Sequence, residues 1–275
     1  MSKISVVIPC FNHGAYVDEA VESVLGQTYQ DIEIIIVNDG STDEPTNRLL
    51  AGYAKPKTTV IATPHQGLAS ARNAGIRESR GEYILPLDAD DKIGSRYAEE
   101  AVGILDGDAN AGIVYCEAEM FGERTGRWEL REYSLREELI ENQIFCSAFF
   151  RKQDWEAAGG YNANMLYGYE DWDLWLSIIE MGRSVHKLPD VHFFYRVRKG
   201  SMIHNMEDEK RQFLFRQVYL NHLQLYGREF PDPVSLYREN QRLKQDYNAI
   251  RRSKDYALGK LMLDPLRAIK RSIVK

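Results

Sequence analysis

Cysteine is scarce in this 275-residue chain, with three residues, Cys10, Cys116 and Cys146, odd in number and widely scattered. They form none of the paired spacings that bind zinc or staple a disulfide framework, so they read as buried thiols in a reducing compartment. Long apolar runs are lacking too. No window approaches the roughly 20 apolar residues of a membrane-spanning helix, and the run at residues 4–9 is too short for a signal peptide, so the expectation is a cytoplasmic protein. The Pro9-Cys10-Phe11-Asn12-His13-Gly14 stretch stands where a dinucleotide enzyme would carry Gly-x-Gly-x-x-Gly, and no Gly-Lys-Ser/Thr loop is present. A dehydrogenase and a phosphate-loop enzyme are therefore disfavoured. Basic charge is missing from the body. Of 35 Lys and Arg and 41 Asp and Glu, residues 242–275 hold ten and three, leaving residues 1–241 with 25 against 38. Nucleic acid is not the expected partner, because phosphate-backbone binding needs a basic face.

What is present is an ordinary globular composition, 44% hydrophobic and 28% charged, at a length that suits one large α/β domain with an appendage. Runs rich in β-branched residues at 4–8 and 32–37, and further strand-like runs at 58–62 and 83–87, alternate with segments of helical spacing such as Val17, Ala20, Val21, Val24. That rhythm predicts parallel strands joined by crossover helices, with helix entry near Asp43. Beyond residue 112 it changes to shorter strands at 112–116 and 144–151, a helix at 170–181, a basic loop at 195–201, and helix from 207 to the end. Ligands of such sheets sit outside the carboxyl ends of the strands. Three polar clusters fall there: Pro9 to His13, Asn38 to Asp43, and Asp88 to Asp91.

Each cluster carries its own chemistry. Asp88-Ala89-Asp90-Asp91 offers two carboxylates one residue apart on a turn, hard donors suited to Mg²⁺ or Mn²⁺ shared with substrate phosphate; a solvated acidic turn is the bland alternative. Asp39, followed by Gly40, can accept an imide N–H from a base, though Ser41, Thr42 or Asp43 would cap a helix there without any ligand. Glu170-Asp171 opens a helix, where acidic residues are favoured by the dipole alone, yet one positioned carboxylate can take a proton from an attacking hydroxyl. Arg196, Arg198 and Ser201 lie in the basic loop, with donors for diphosphate oxygens. Arg72 and Asn73 stand on a helix that starts beside the same crevice.

These motifs, in this order over roughly residues 3–200, resemble the family 2 glycosyltransferases, inverting enzymes with a GT-A type nucleotide-sugar-binding fold: Ile4-Ser-Val-Val-Ile-Pro-Cys-Phe-Asn12, Val37-Asn-Asp-Gly-Ser-Thr-Asp43, Gly67-Leu-Ala-Ser-Ala-Arg-Asn-Ala-Gly75, Leu87-Asp-Ala-Asp-Asp91 and Glu170-Asp171. The resemblance implies a mostly parallel central sheet flanked by helices, with a C-terminal helical extension. It implies a nucleotide-sugar donor, UDP-linked, held by Pro9, Phe11, Asn12, Asp39, Arg72, Asp88, Ala89, Arg198 and Ser201. Asp90 would hold Mn²⁺ or Mg²⁺, and Asp171 with Glu170 would be catalytic. Two positions depart from the pattern: His65 where many relatives carry Asn, and Arg198 where many carry His, a change that removes a metal ligand and keeps a diphosphate donor.

The expected organisation is a glycosyltransferase domain over 1–205, with a nucleotide-binding half at 1–111 and an acceptor half at 112–205, and a helical extension over 206–275. Asp264-Pro265 reads as a helix start, followed by Leu266, Ile269 and Ile273 among Arg267, Lys270, Arg271 and Lys275. A basic amphipathic helix suits the inner face of an anionic membrane, this acidic body, or a second subunit of a homo-oligomer. The acceptor implied is a glycan or lipid-linked hydroxyl, in polysaccharide, cell-surface glycan or glycolipid synthesis. Two rivals remain: a non-catalytic sugar-nucleotide-binding module, which would have no need of Asp171, and a phosphohydrolase using Asp88 and Asp90, which would place that pair after the first strand.

Overall fold

The structure, a computed structural model, describes residues 3–198 and 206–273, with side chains to residue 264. It divides into two units, residues 1–223 and 224–275. The first unit is α/β. β1 (Ile4–Cys10) is buried along its whole length, because its β-branched side chains are covered on both faces, and it pairs in parallel with β2 (Ile32–Asp39). Two helices, α1 (Gly14–Leu25) and α2 (Glu44–Ala51), follow these strands, α2 entered through Asp43, whose side chain accepts from Thr46 N. β3 (Thr58–Thr63), α3 (Leu68–Glu78) and β4 (Tyr83–Pro86) complete the parallel set, with β4 beside β1. The next elements are β5 (Lys92–Ile93), α4 (Tyr97–Gly107), β6 (Ala111–Gly122), β7 (Gly126–Trp128), α5 (Leu135–Glu138), β8 (Phe149–Arg151), α6 (Lys152–Ala158), α7 (Glu170–Glu180), β9 (Ser184–Val197) and α8 (Asp208–Asn221); α9 (Leu223–Glu229) begins at the last residue of this unit and lies otherwise in the second. The sheet runs β3-β2-β1-β4-β8-β6-β9-β5, with β7 on β6; β8 is antiparallel to both neighbours, and β6 and β9 are parallel.

Three segments of the first unit differ from expectation. β6 extends six residues past Cys116, because β9 pairs along its length and β7 turns back on it. The strand expected at 144–151 shrinks to Phe149–Arg151: the carbonyls of Ile144 and Ser147 accept from Trp175 Nε1 (3.1 Å) and Tyr97 Oη (2.8 Å). Residues 195–197, expected in a loop, are the end of β9.

In the second unit, α10 (Pro233–Arg252) is capped by Asp232, and α11 (Lys254–Ile273) follows Ser253, whose Oγ accepts from Tyr256 N at 3.1 Å. A helix is thus already under way at Asp264-Pro265, and no new start occurs there. Among the described residues no helix is long and apolar enough to cross a membrane.

Candidate functional site

The carboxyl ends of β2, β1 and β4 lie side by side, so the polar clusters that follow them share one edge of the sheet. Asn12 stitches two of these together. Held at φ 59°, it donates through Nδ2 to Thr42 Oγ1 (2.9 Å) and accepts at Oδ1 from Thr42 N (2.7 Å) and Asp43 N (3.1 Å). Asp39 is buried, and both of its oxygens are engaged: Oδ1 by Thr63 Oγ1 and Gln66 N, each at 3.2 Å, Oδ2 by Gly67 N (3.1 Å) and His65 Nδ1 (2.9 Å). Because a carboxylate only accepts, His65 carries its proton on Nδ1. The ring it orients stacks on Phe11, centroids 4.0 Å apart. Gly40 permits this packing: its φ is 64°, and a Cβ there would meet His65 N at 2.6 Å.

The second half of the site converges on Arg72. Its guanidinium, 1% exposed, donates Nη1 to Glu170 and Nη2 to Asp88 Oδ1 (2.7 Å), so the first turn of α7 is tied to the turn after β4. Asp171, beside Glu170 and half-buried, accepts from Trp172 N at 2.8 Å. Burial, then the charge of Glu170 and of Asp88, outweigh Arg72 and push its carboxyl up to about 7. Cys146 Sγ lies 3.5 Å from Asp88 Oδ2, and burial raises its thiol, as it raises Cys10 and Cys116. None of the three is a thiolate at neutral pH.

Asp90 sits at the other end of the acidic turn. Arg198 donates Nε to Asp90 Oδ2 at 2.7 Å and Nη2 to His13 Nε2 at 2.6 Å. His13 therefore accepts there as a neutral ring, in keeping with burial lowering its pKa. Arg196 donates its backbone N to Asp91 Oδ1 and its Nε to the Asp90 carbonyl, each at 2.8 Å. Asp91 is buried, and burial followed by its neighbours Asp88 and Asp90 raises its pKa well above the carboxylate range.

Of the sequence-predicted residues, Asp88, Arg72, Glu170 and Asp171 are thus drawn into one cluster, Asp90 and Arg198 into an ion pair next to it, and Asn12 and Asp39 into the β1–β2 rim with Phe11. Pro9, opposite Val37, and Ala89 are buried. Ser201 lies outside the described residues. From sequence alone Cys146 is only a buried thiol and His13 one member of a polar cluster; their places in the site rest on contacts 58 and 185 residues away in sequence. Among the described residues a separate trio, Glu100, Asp190 and His192, brings ligand atoms within 4.8 Å of one another, with Glu100 also paired to Arg96 at 3.2 Å.

Comparison with known proteins gives the family and the fold. The family model described as Glycosyl transferase family 2 matches residues 5–173. A chondroitin synthase of Escherichia coli is 30% identical over 189 residues, 66% of this chain and 27% of that protein. An uncharacterized glycosyltransferase of Rickettsia typhi is 28% identical over 216 residues, 74% of this chain and 65% of that protein. The chain thus spans from about a quarter to just under two thirds of these relatives. In fold it is similar to the crystal structure of Staphylococcus aureus TarS residues 1–349 in complex with UDP-GlcNAc, with TM-score 0.66, 18% identity, and coverage of 80% of this chain and 66% of that one. The GT-A type α/β architecture is the one expected from sequence.

Proposed function

Because this chain belongs to glycosyl transferase family 2, we propose that it moves a sugar from a UDP-sugar to an acceptor hydroxyl with inversion at the anomeric carbon, in the synthesis of a polysaccharide, cell-surface glycan or glycolipid. The observation that carries this reading is the Arg72 bridge between Asp88 and Glu170, which puts a titratable acid, Asp171, beside the strand-end carboxylates. A relative named chondroitin synthase and a fold neighbour crystallised with UDP-GlcNAc support the substrate class.

In this reading the acceptor oxygen attacks the anomeric carbon from the face opposite the diphosphate. A carbon–oxygen bond forms, the bond to the phosphate oxygen breaks with its electron pair leaving on the nucleotide, and the hydroxyl proton passes to Asp171. A base with a pKa near 7 is well matched to that task, being ionised enough to accept and basic enough to pull. Glu170, held by Arg72, keeps its negative charge next to Asp171 and helps keep that base's pKa raised. Arg72 has two nitrogens spent on carboxylates, so it acts as a positioning residue. Phe11 and His65 offer a stacked wall for the base, held by Asp39. Arg198 supplies a guanidinium to the diphosphate, with Ser201 beside it in sequence.

The donor set fits a hard divalent cation: Asp88 and Asp90 are two oxygen donors on one turn, and their negative charge adds to burial in raising the pKa of Asp91. Asp88 and Asp90 would hold Mn²⁺ or Mg²⁺, which when bound neutralises the departing diphosphate. We assign residues 1–111 to the donor, 112–205 to the acceptor and 206–275 to an extension, in a cytoplasmic protein whose Lys- and Arg-rich end at 267–275 contacts anionic lipid. Flotation of the intact chain with anionic vesicles, beside a chain ending near residue 255, tests that contact; equal behaviour removes it.

The deciding experiment incubates the full chain with UDP-sugars and glycan or lipid-linked acceptors in Mn²⁺ and reads product configuration by NMR. Inverted product supports the reading; retained configuration overturns it. Binding of UDP-sugar without transfer to any acceptor would favour the non-catalytic module.

A further inference from the structure

The second unit holds a feature that sugar transfer does not use. α10 is 20 residues long and has no buried residue. Its start is well built, because Asp232 accepts from Val234 N (2.9 Å) and Ser235 N (3.0 Å) and Pro233 occupies the first turn. Yet Leu236, Leu243 and Ile250 are 42%, 60% and 61% exposed. These three recur every seven residues, and Asn240 and Tyr247 stand between them, so the five mark alternating steps of four and three along one stripe. The opposite side carries Arg238, Arg242, Gln245 and Asn248. A stripe this narrow, backed by polar residues, is the seam of a coiled coil and too narrow for burial in a globular core.

We propose that α10 pairs with the same helix of a second copy of this chain as a parallel two-stranded coiled coil. The flanking charges choose the occupant and its direction. Glu239 and Asp246 lie on one side of the stripe, Lys244 and Arg251 on the other. In a parallel, in-register pair each such acidic position faces the basic position five residues on. Glu239 then meets the partner's Lys244, and Asp246 meets the partner's Arg251, both pairs formed twice by symmetry. An antiparallel pair would set acid against acid and base against base. Asn240 falls at a seam position, where facing Asn side chains satisfy one another only in register and favour two strands. A lipid surface explains neither the acidic flank nor the buried-seam Asn.

The seam is shorter than three heptads, so the association is expected to depend on concentration. Sedimentation equilibrium on the full chain, from micromolar to several hundred micromolar, should show the mass rising from 31.7 kDa toward twice that value. Leu243→Lys should weaken dimerisation by at least about tenfold with the thermal transition of the rest of the chain unchanged. The double variants Glu239→Lys/Asp246→Lys and Lys244→Glu/Arg251→Glu should each be monomeric alone and form a mixed dimer when combined. A wild type that stays monomeric throughout, a dimer that survives Leu243→Lys, or charge variants that do not recombine would each overturn the proposal. So would a monomeric wild type whose binding to anionic vesicles is lost in Leu243→Lys, since the stripe would then face lipid.

Discussion

Glu170 rests on the guanidinium of Arg72, out of reach of solvent. The same guanidinium holds Asp88, so one cation from α3 sets the distance between the acidic helix and the acidic turn. Removing it leaves two carboxylates without their partner. Breaking a buried ion pair in this way costs about 3–5 kcal/mol, much more than a surface pair is worth. Arg72→Met is therefore expected to lower Tm strongly, and Arg72→Met/Glu170→Gln to recover part of that loss while transfer stays abolished. Thermal unfolding and a radiolabelled-sugar assay check both; a single variant with wild-type Tm would contradict the pairing.

Asp171 ties activity to pH. Its carboxyl, raised to about 7 in the fold against an ordinary 3.8, is protonated at acid pH and ionised above neutrality. The rate at limiting donor should climb through pH 7 and level off above it, with no such limb in Asp171→Asn. Stability should run the other way. Between pH 4 and 7 the folded state binds a proton that the unfolded state has released, so this group contributes less stability as pH rises through that window and costs most above pH 7. Asp171→Asn is expected to raise Tm at pH 8, by about 2–4 °C per kcal/mol recovered, and to leave it nearly unchanged at pH 4. A variant that is destabilised at pH 8 would refute the assignment.

Asp90 and Arg198 share one ion pair but are expected to fail differently. With Asp90→Ala, the added thermal protection that Mn²⁺ gives in the presence of UDP should vanish, because a carboxylate donor is gone. With Arg198→Ala the metal-dependent shift should persist, while donor KM rises about tenfold, equivalent to ~1.4 kcal/mol. Thermal shift titrations of both variants, with and without Mn²⁺, separate the two outcomes. Equal loss in both would mean that the pair acts as one unit.

The parts of this arrangement legible in the sequence are those fixed by local pattern. β1 and β2 announce themselves as runs rich in Ile and Val, interrupted only by Ser5 and Glu33, and Asp88 to Asp91 as a polar turn directly after an apolar strand. Asp43 is recognisable as a cap before Pro45. What stayed hidden depends on partners brought in by the fold. The backbone at Ile144 and Ser147 looks like strand until Trp175 and Tyr97 claim its carbonyls. Cys146 looks like one more buried thiol until Asp88 is found beside it. Pro265 signals a helix start only if the preceding residues are not already helical, and Ser253 has capped that helix upstream.

Gly75 offers a test of how tightly the sheet holds the site. It lies one turn after Arg72 on α3, and a Cβ at this position would come within 2.4 Å of Val7 Cγ1 and 2.9 Å of Val37 Cγ2. Two effects oppose each other in Gly75→Ala. Helix propensity favours Ala by about 1 kcal/mol, whereas forcing a methyl into a packed core costs about 1–3 kcal/mol. Both neighbours are buried and β-branched with little freedom to rotate, so the steric cost should win and Tm should fall. The helix would also lift from the sheet at the turn that carries Arg72, lowering kcat with little change in donor KM. Trimming the nearer obstacle shrinks the cost: in a Val7→Ala background, Gly75→Ala should destabilise less, because its methyl enters the space the valine left and only Val37 Cγ2, at 2.9 Å, still opposes it. A double-mutant cycle by chemical denaturation measures this coupling, and additivity of the two changes would show that α3 is not in contact with β1 at this point.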